Sequence, residues 1–330
     1  MAAGCPVCFA AGADYFASGR DRLFHAAPGS FKLLRCRQCR CVFQDPIPDE
    51  QEIPSFYPRQ YWRPSEEAGS SAVSKILRRL ETSYREFVAL DHIRFLDWCA
   101  RDVGAQQKKL LDIGCGSGLL LHLARRRGFE SFGMDVSEQA VALARSRYGL
   151  DVRQGRIGDD IWSPGEFDFV AMYHVLEHLR DPRSALRYAR RILKRDGNLI
   201  LQVPNLESLQ ARCFGARWHG LDVPRHLINF TPGAIDLLLR ETGFIVTRRA
   251  KFSLRDNPAS IASSLAIGLD PVGRSARKQK GVAVWEAALE FVYTSLVIAS
   301  LPLAALESLF GCGGTIWLHA RIHSQSPTAN

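Results

Sequence analysis

The feature that most restricts the fold is a glycine-dense turn, Leu110-Leu-Asp-Ile-Gly-Cys-Gly-Ser-Gly118, set between an apolar run and an amphipathic one. Lys109–Ile113 reads as a strand, and a helix is expected from about Leu119. Gly114, Gly116 and Gly118 permit a tight reversal and let a ligand approach the main chain. A strand that turns this way into a helix opens a β-α-β unit, which commits the chain to a parallel sheet with right-handed crossovers. Further strands are expected at Phe129–Asp135, Asp151–Gln154, Phe167–Tyr173, Asn198–Val203, Phe244–Arg249 and Thr315–Ile322. Helices are expected over Glu138–Arg147, Pro182–Leu193 and Pro232–Thr242. The fold class is therefore α/β, a doubly wound sheet whose ligands sit at the carboxyl ends of its strands.

The spacing of the turn narrows the ligand. It reads D-x-G-x-G-x-G, whereas a dinucleotide-binding turn reads G-x-G-x-x-G. Asp112 would repel a pyrophosphate and suits a ligand with a cationic amino-acid end. The second strand ends in Asp135, whose carboxylate can accept hydrogen bonds from both hydroxyls of a ribose. The plainer reading makes Asp135 a cap for the helix starting near Ser137. Ser137 can fill that place itself, which favours the ribose.

On these residues, with Phe167-Asp-Phe-Val170 entering the fourth strand, the chain resembles the class I S-adenosylmethionine (SAM) dependent methyltransferases over about residues 80–252 and again at 315–322. The resemblance implies a Rossmann-like, seven-stranded sheet with an antiparallel last strand, and SAM as methyl donor. It places Asp112, Gly114, Cys115, Gly116, Gly118, Asp135 and Tyr173 around the cofactor, with Ile157 and Asp159 at the adenine. Cys115 reads as a small packing residue there, not a nucleophile.

Tyr173-His-Val-Leu-Glu-His-Leu-Arg-Asp-Pro182 resembles the branch holding ubiquinone-type O-methyltransferases and many glycan- or lipid-tailoring enzymes. His174 and His178 stand one helical turn apart with Glu177 between them. Three readings stay open: a structural role, a general base for the acceptor, or a divalent metal holding a catechol-like acceptor. The metal-using members carry an acid three residues before the Glu; His174 occupies that place, which weakens the third reading. The run Arg217–Pro232 resembles the loop that covers the acceptor in the same branch. His226 is the first choice for a base, with an ordinary pKa near 6.5. Arg225 is a candidate partner for an acceptor phosphate or carboxylate. The competing reading has Asp222, Arg225 and His226 pinning the loop ahead of a helix capped by Thr231. Methyl transfer needs alignment, exclusion of water and removal of a proton, so the lack of a fixed catalytic triad is no objection.

Two C-x-x-C pairs, Cys5/Cys8 and Cys36/Cys39, can supply four thiolates to one structural zinc ion. Cys41 is a spare or alternative ligand. Residues 1–45 are thus expected as a zinc-ribbon-like module, 46–70 as a Pro/aromatic connector, and 71–330 as the SAM-dependent domain. Residues 71–103 place Ile76, Leu80, Tyr84, Phe87 and Phe95 on one helical face. A helical insert at 270–310 precedes the last strand. Residues 291–306 carry no charge, but a spanning helix needs about twenty apolar residues. The insert is expected either as a lid over the substrate mouth or as a peripheral membrane contact.

The start of the chain lacks a basic-then-apolar pattern, and nine cysteines fit a reducing compartment. The expected location is cytoplasmic, with peripheral contact at the inner face of the membrane. The net charge of +9 is not organised as basic runs interleaved with aromatics, so no nucleic acid is expected. The expected activity is methyl transfer to a small molecule (a sugar, glycolipid, quinone-type or related metabolite, including lipid-linked ones), to oxygen before carbon. The rivals are an RNA methyltransferase, disfavoured because an Asn/Asp-Pro-Pro-Tyr run is missing, and a non-catalytic SAM-binding scaffold, disfavoured by the intact loop.

Overall fold

The computed structural model describes residues 4–58, 72–101, 103, 108–277 and 283–323. Tyr61, Trp62 and Pro64 of the connector lie outside the described residues, as do Lys278 and Lys280, and the side chains of Ile76, Leu80 and Tyr84. The chain begins with β1 (Ala13–Gly19), β2 (Phe31–Cys36) and β3 (Val42–Gln44), then a long helix α1 (Ala72–Ala100). Alternation follows: β4 (Lys108–Ile113), α2 (Leu119–Arg125), β5 (Phe129–Asp135), α3 (Glu138–Tyr148), β6 (Asp151–Gln154), β7 (Phe167–Tyr173), α4 (Pro182–Ile192) and β8 (Leu193–Pro204). The remainder comprises α5 (Leu209–Phe214), β9 (Ile228–Asn229), α6 (Pro232–Glu241), β10 (Phe244–Ala250), α7 (Asp256–Leu265), α8 (Pro271–Ala276), α9 (Ala283–Leu309) and β11 (Thr315–Ile322).

The large sheet has seven strands in the order β10-β11-β8-β7-β4-β5-β6. β4 pairs in parallel with β5 and β7, while β11 is antiparallel to both its neighbours. This is the expected Rossmann-like methyltransferase sheet. Its central strands are buried on both faces, as a doubly covered parallel sheet requires: Phe169, Val170 and Ala171 of β7 are fully enclosed. One face packs on α1, α2 and α3 through Ile93, Leu96, Leu121 and Val141. The other packs on α4 and α6 through Leu186, Ile192, Ile235 and Leu238.

Local chemistry explains the helix starts. Ser137, Asp181 and Thr231 each accept a hydrogen bond from the backbone N–H three residues on, the usual N-cap geometry, at α3, α4 and α6. Pro182 and Pro232 then occupy first-turn positions that need no N–H.

Four details differ from expectation. β8 starts at Leu193 rather than Asn198. In α1 the inward face is Ala89, Ile93, Leu96 and Ala100, whereas Phe87 is 54% exposed; helical spacing puts Phe87 about 80° round from Phe95. The insert before the last strand is three helices, α7 to α9. The N-terminal strands also do not form a sheet of their own alone. β3 pairs with β9, so the small sheet β1-β2-β3-β9 draws its fourth strand from the loop after β8.

Candidate functional site

The glycine turn sits at the carboxyl end of the central strand β4. Gly114 and Gly118 have φ of +75° and +77°, a left-handed conformation that glycine tolerates best. A Cβ on Gly114 would stand 2.6 Å from Val175 Cγ2, so the turn and the segment after β7 are pressed together at this glycine. Asp135, at the end of the adjacent β5, accepts the Gly116 N–H through Oδ2 and the Ser137 N–H through Oδ1, both at 2.9 Å. Asp112 is 4% exposed and has no hydrogen-bond partner among the described residues. Burial, and then the nearby Asp135 charge, push the Asp112 carboxyl well above the usual range. The Tyr173 hydroxyl is likewise buried without a partner. Two enclosed acids and an orphaned hydroxyl in one corner are costly unless a polar, cationic ligand satisfies them. The ammonium, sulfonium and ribose of SAM fit that donor and charge pattern.

Of the other residues singled out for the cofactor, Cys115 is 8% exposed with a thiol pushed up by burial and by Asp112. Its Sγ fills the space above Gly133. Ile157 is half-buried against the core, and Asp159 accepts the Arg156 N–H at 2.7 Å, bracing the turn after β6.

The segment after β7 carries three chemically different groups. His174 sits at a positive φ of 53°. Its Nδ1 is 3.1 Å from Glu177 Oε1 and its Nε2 is 3.4 Å from Asp256 Oδ2. Burial alone would lower its pKa, but the Asp256 and Glu177 carboxylates overcome that and raise it to about 10. His174 is therefore an imidazolium at neutral pH. Asp256, at the start of α7, also accepts hydrogen bonds from Gln202 Nε2 and Ser253 Oγ, each at 2.7 Å. Asp91 of α1 lies beside this network, its Oδ2 3.1 Å from Ser253 Oγ and accepting the Leu254 N–H at 2.7 Å.

His226 has the opposite character. Its Nδ1 donates to the Gly220 carbonyl at 2.8 Å, which leaves Nε2 as an acceptor. Nε2 stands 3.9 Å from Glu177 Oε1 and 4.0 Å from Asp222 Oδ2. Burial, then the neighbouring His178, lower its pKa to about 4 despite these carboxylates. His178 lies edge-on to it, ring centroids 4.7 Å apart. Its Nδ1 meets the Arg225 carbonyl at 3.0 Å and the Tyr57 hydroxyl at 3.1 Å. Glu177 is fully buried, with Oε2 unpartnered. One atom each from Glu177, His178 and His226 lie within 4.8 Å of one another, close enough to share a cation.

Arg225 does not face an acceptor. It is 2% exposed and saturated: it donates to Asp21 Oδ1 at 3.0 Å, to Asp222 at 2.5 and 2.9 Å, and to the Phe56 carbonyl at 3.3 Å. Phe24 stacks under its guanidinium. Asp21 and Phe24 belong to the N-terminal module, so this arginine clasps the loop to that module. Gln44 N–H to the Leu227 carbonyl and the Thr231 hydroxyl to the Cys39 carbonyl add to the clasp. Sequence reasoning missed Asp21, Tyr57, Asp91, Gln202 and Asp256, because none stands in a local pattern that marks its destination.

In the module itself the two C-x-x-C turns are built alike. Cys5 and Cys36 each accept, at their carbonyls, the N–H four residues on, from Phe9 and Arg40, both at positive φ. One Sγ each from Cys5, Cys8, Cys36 and Cys39 lie within 4.8 Å of one another. A zinc ion with bonds of about 2.3 Å needs thiolates about 3.8 Å apart, so the set fits tetrahedral coordination. Cys41 is fully buried beside it, 3.5 Å from Cys5 Sγ and 3.4 Å from Cys39 Sγ.

Comparison with known proteins adds three findings. A family profile described as a methyltransferase domain matches residues 81–248. Ubiquinone biosynthesis O-methyltransferase of Pseudomonas aeruginosa is 32% identical over 133 residues, 38% of this chain and 56% of the relative. The enzyme of the same name from Azoarcus sp. is 32% identical over 143 residues, 42% of this chain and 59% of the relative. The chain thus spans little more than half the length of these curated relatives. Among solved structures, a SAM dependent methyltransferase from Archaeoglobus fulgidus matches at a TM-score of 0.48 and 18% identity, covering 72% of this chain and 94% of that one. A putative methyltransferase in complex with the Haloferax volcanii Trm112 activator matches at 0.48 and 18%, covering 74% and 94%.

Proposed function

The chain belongs to the class I SAM-dependent methyltransferases, and on that premise we propose that it transfers a methyl group to an oxygen of a small-molecule acceptor, with His226 as the base. The supporting observation is the contact of Gly114 with Val175. It sets the cofactor turn directly against the segment that carries Glu177 and His178, so donor and acceptor corners share a wall.

SAM supplies an activated methyl on its sulfonium. Asp112 would pair with the ammonium of its amino-acid end, Asp135 would accept from the ribose hydroxyls, and the Tyr173 hydroxyl would meet a polar group in the same corner. Ile157 and Asp159 would border the adenine, as the family resemblance implies. His226, kept neutral by burial, holds an open Nε2 that takes the acceptor's proton. Glu177 lies beside the imidazolium that results. His174, already protonated and fixed between Asp256 and Glu177, orients Glu177. His178 packs against His226 and carries the link to Tyr57.

The closeness of Glu177, His178 and His226 supports a second reading. In it these three would hold a divalent cation that binds the acceptor oxygens, as suits a catechol-like phenol. The ubiquinone-type names of the relatives favour an aromatic or quinone-type acceptor, including a lipid-linked one. Cys5, Cys8, Cys36 and Cys39 would hold a structural zinc ion, a closed four-thiolate site without an open position.

The test is a screen of phenolic, catechol and sugar acceptors with methyl-labelled SAM, run on wild type and His226→Ala. Label in an oxygen-linked methyl, lost in the variant while SAM still binds, is the expected result. Wild-type turnover by the variant would remove His226 from the chemistry. A chelator that abolishes turnover without releasing the ribbon metal would favour the second reading.

A further inference from the structure

The outer face of α9 is the largest feature that the proposed chemistry leaves unused. Within Trp285–Leu309 an 18-residue window has a mean hydropathy of 1.7, high enough for a membrane helix, yet only 17% of that window is buried. Phe291 is 73% exposed, Leu309 82% and Phe310 77%, with Trp285, Ile298 and Leu306 beside them. At about 100° per residue these six fall within an arc of about 140° on one side of the helix axis. Tyr293, Val297 and Ala304 lie on the other side, where they are buried.

The charges on the helix are turned away from that arc. Glu286 and Glu290 are bound to Arg274 of α8 at 2.7 and 2.5 Å. Glu307 is 1% exposed and accepts from Gln210 Nε2 at 2.6 Å and from the Gly314 N–H at 3.1 Å. Each end of α9 is therefore tied to the methyltransferase domain, and Ser263 of α7 meets the Tyr293 hydroxyl in between at 3.0 Å. A helix held at both ends cannot leave the fold to cross a bilayer, because β11 must follow it back into the sheet. It can lie in the plane of one. In the sequence Arg277, Lys278 and Lys280 stand immediately before it, whereas Arg274 is taken up by Glu286 and Glu290.

We propose that α9 is an in-plane membrane contact, with its apolar arc in the acyl boundary of an anionic bilayer, which the positive charge of the sequence before the helix favours. The opposite, buried side of α9 packs on α7, which begins at Asp256 against His174. The surface proposal does not depend on the identity of the base or the acceptor.

Flotation of the full-length protein with vesicles of phosphatidylglycerol and phosphatidylethanolamine tests it. The wild type is expected to float with them. Phe291→Glu/Leu306→Glu is expected to lower the bound fraction about tenfold or more, with the circular-dichroism melting transition kept. If that variant loses its transition, Ile298→Ser on the same arc takes its place and is expected to reduce binding less. Failure of the wild type to float, or flotation of a folded variant as well as wild type, overturns the proposal. So does a lipid-free dimer in sedimentation velocity that the same substitutions split, without vesicle binding by the wild type; the face would then belong to a second copy of this chain.

Discussion

The two corners of the site are built in opposite ways. The cofactor corner comes from one short, continuous stretch, Asp112 to Ser137, in which β4, the glycine turn and β5 bring two carboxylates together by β-α-β geometry alone. The acceptor corner comes from segments far apart in the chain: Asp21, Tyr57, Asp91, His174 to His178, Gln202, Asp222 to His226, and Asp256. A corner made of one motif is set as soon as its strands pair. One made of many contacts depends on all its elements being docked. The ribbon is part of that docking, because its sheet includes β9 and its Asp21 meets Arg225.

This contrast predicts separable damage. The largest effect is expected for His226→Ala, with turnover down by about 10²–10⁴-fold and SAM affinity by calorimetry unchanged. Loss of SAM affinity in the same variant would mean that the two corners are not independent. Arg225→Met would leave Asp21 and Asp222 buried without their cation and is expected to cost about 3–5 kcal/mol in urea unfolding. Its surviving folded fraction should bind SAM normally and show a raised KM for the acceptor; an unaltered KM would separate the clasp from the acceptor loop. Asp135→Ala is expected to weaken SAM about 100-fold through the loss of charged hydrogen bonds, with the acceptor KM held. Unchanged SAM affinity would remove the ribose assignment.

The smallest and most diagnostic effects are in pH. His174 has a raised pKa, so its stabilising contribution is fully present below its ordinary value near 6.5 and fades as pH climbs through about 10. The stability difference between wild type and His174→Gln should shrink across that window; a constant difference would show that Asp256 and Glu177 do not hold it charged. His226 shifts the other way. Its neutral form should persist well below pH 6.5, with kcat/KM lost only as pH falls toward about 4. An acid limb near 6.5 would place the base in a wetter site than the one seen.

Reading the chain alone succeeds where the physics is local. The strands from Lys108 to Gln154, the caps Ser137 and Thr231 and the C-x-x-C pairs are visible in one dimension because each is made by residues within a few positions of one another. Arg225 shows the limit. A solvent-facing arginine and a buried one look the same in sequence, so an acceptor contact and a pin for the loop both stayed open; the pin to Asp222 is what forms, joined by Asp21, more than half the chain away. Nor does spacing reveal that His174 is held charged and His226 neutral, since that follows from which carboxylates burial brings close.

The amino-acid order thus determined the sheet, the glycine turn with its two acids and the pairing of the cysteine knuckles, because backbone geometry and short-range hydrogen bonds suffice for them. Only the tertiary structure decided which histidine has a free nitrogen, what Arg225 holds, and which side of α9 is left bare. Charge state and exposure are set by distant neighbours that a chain meets only once it has folded.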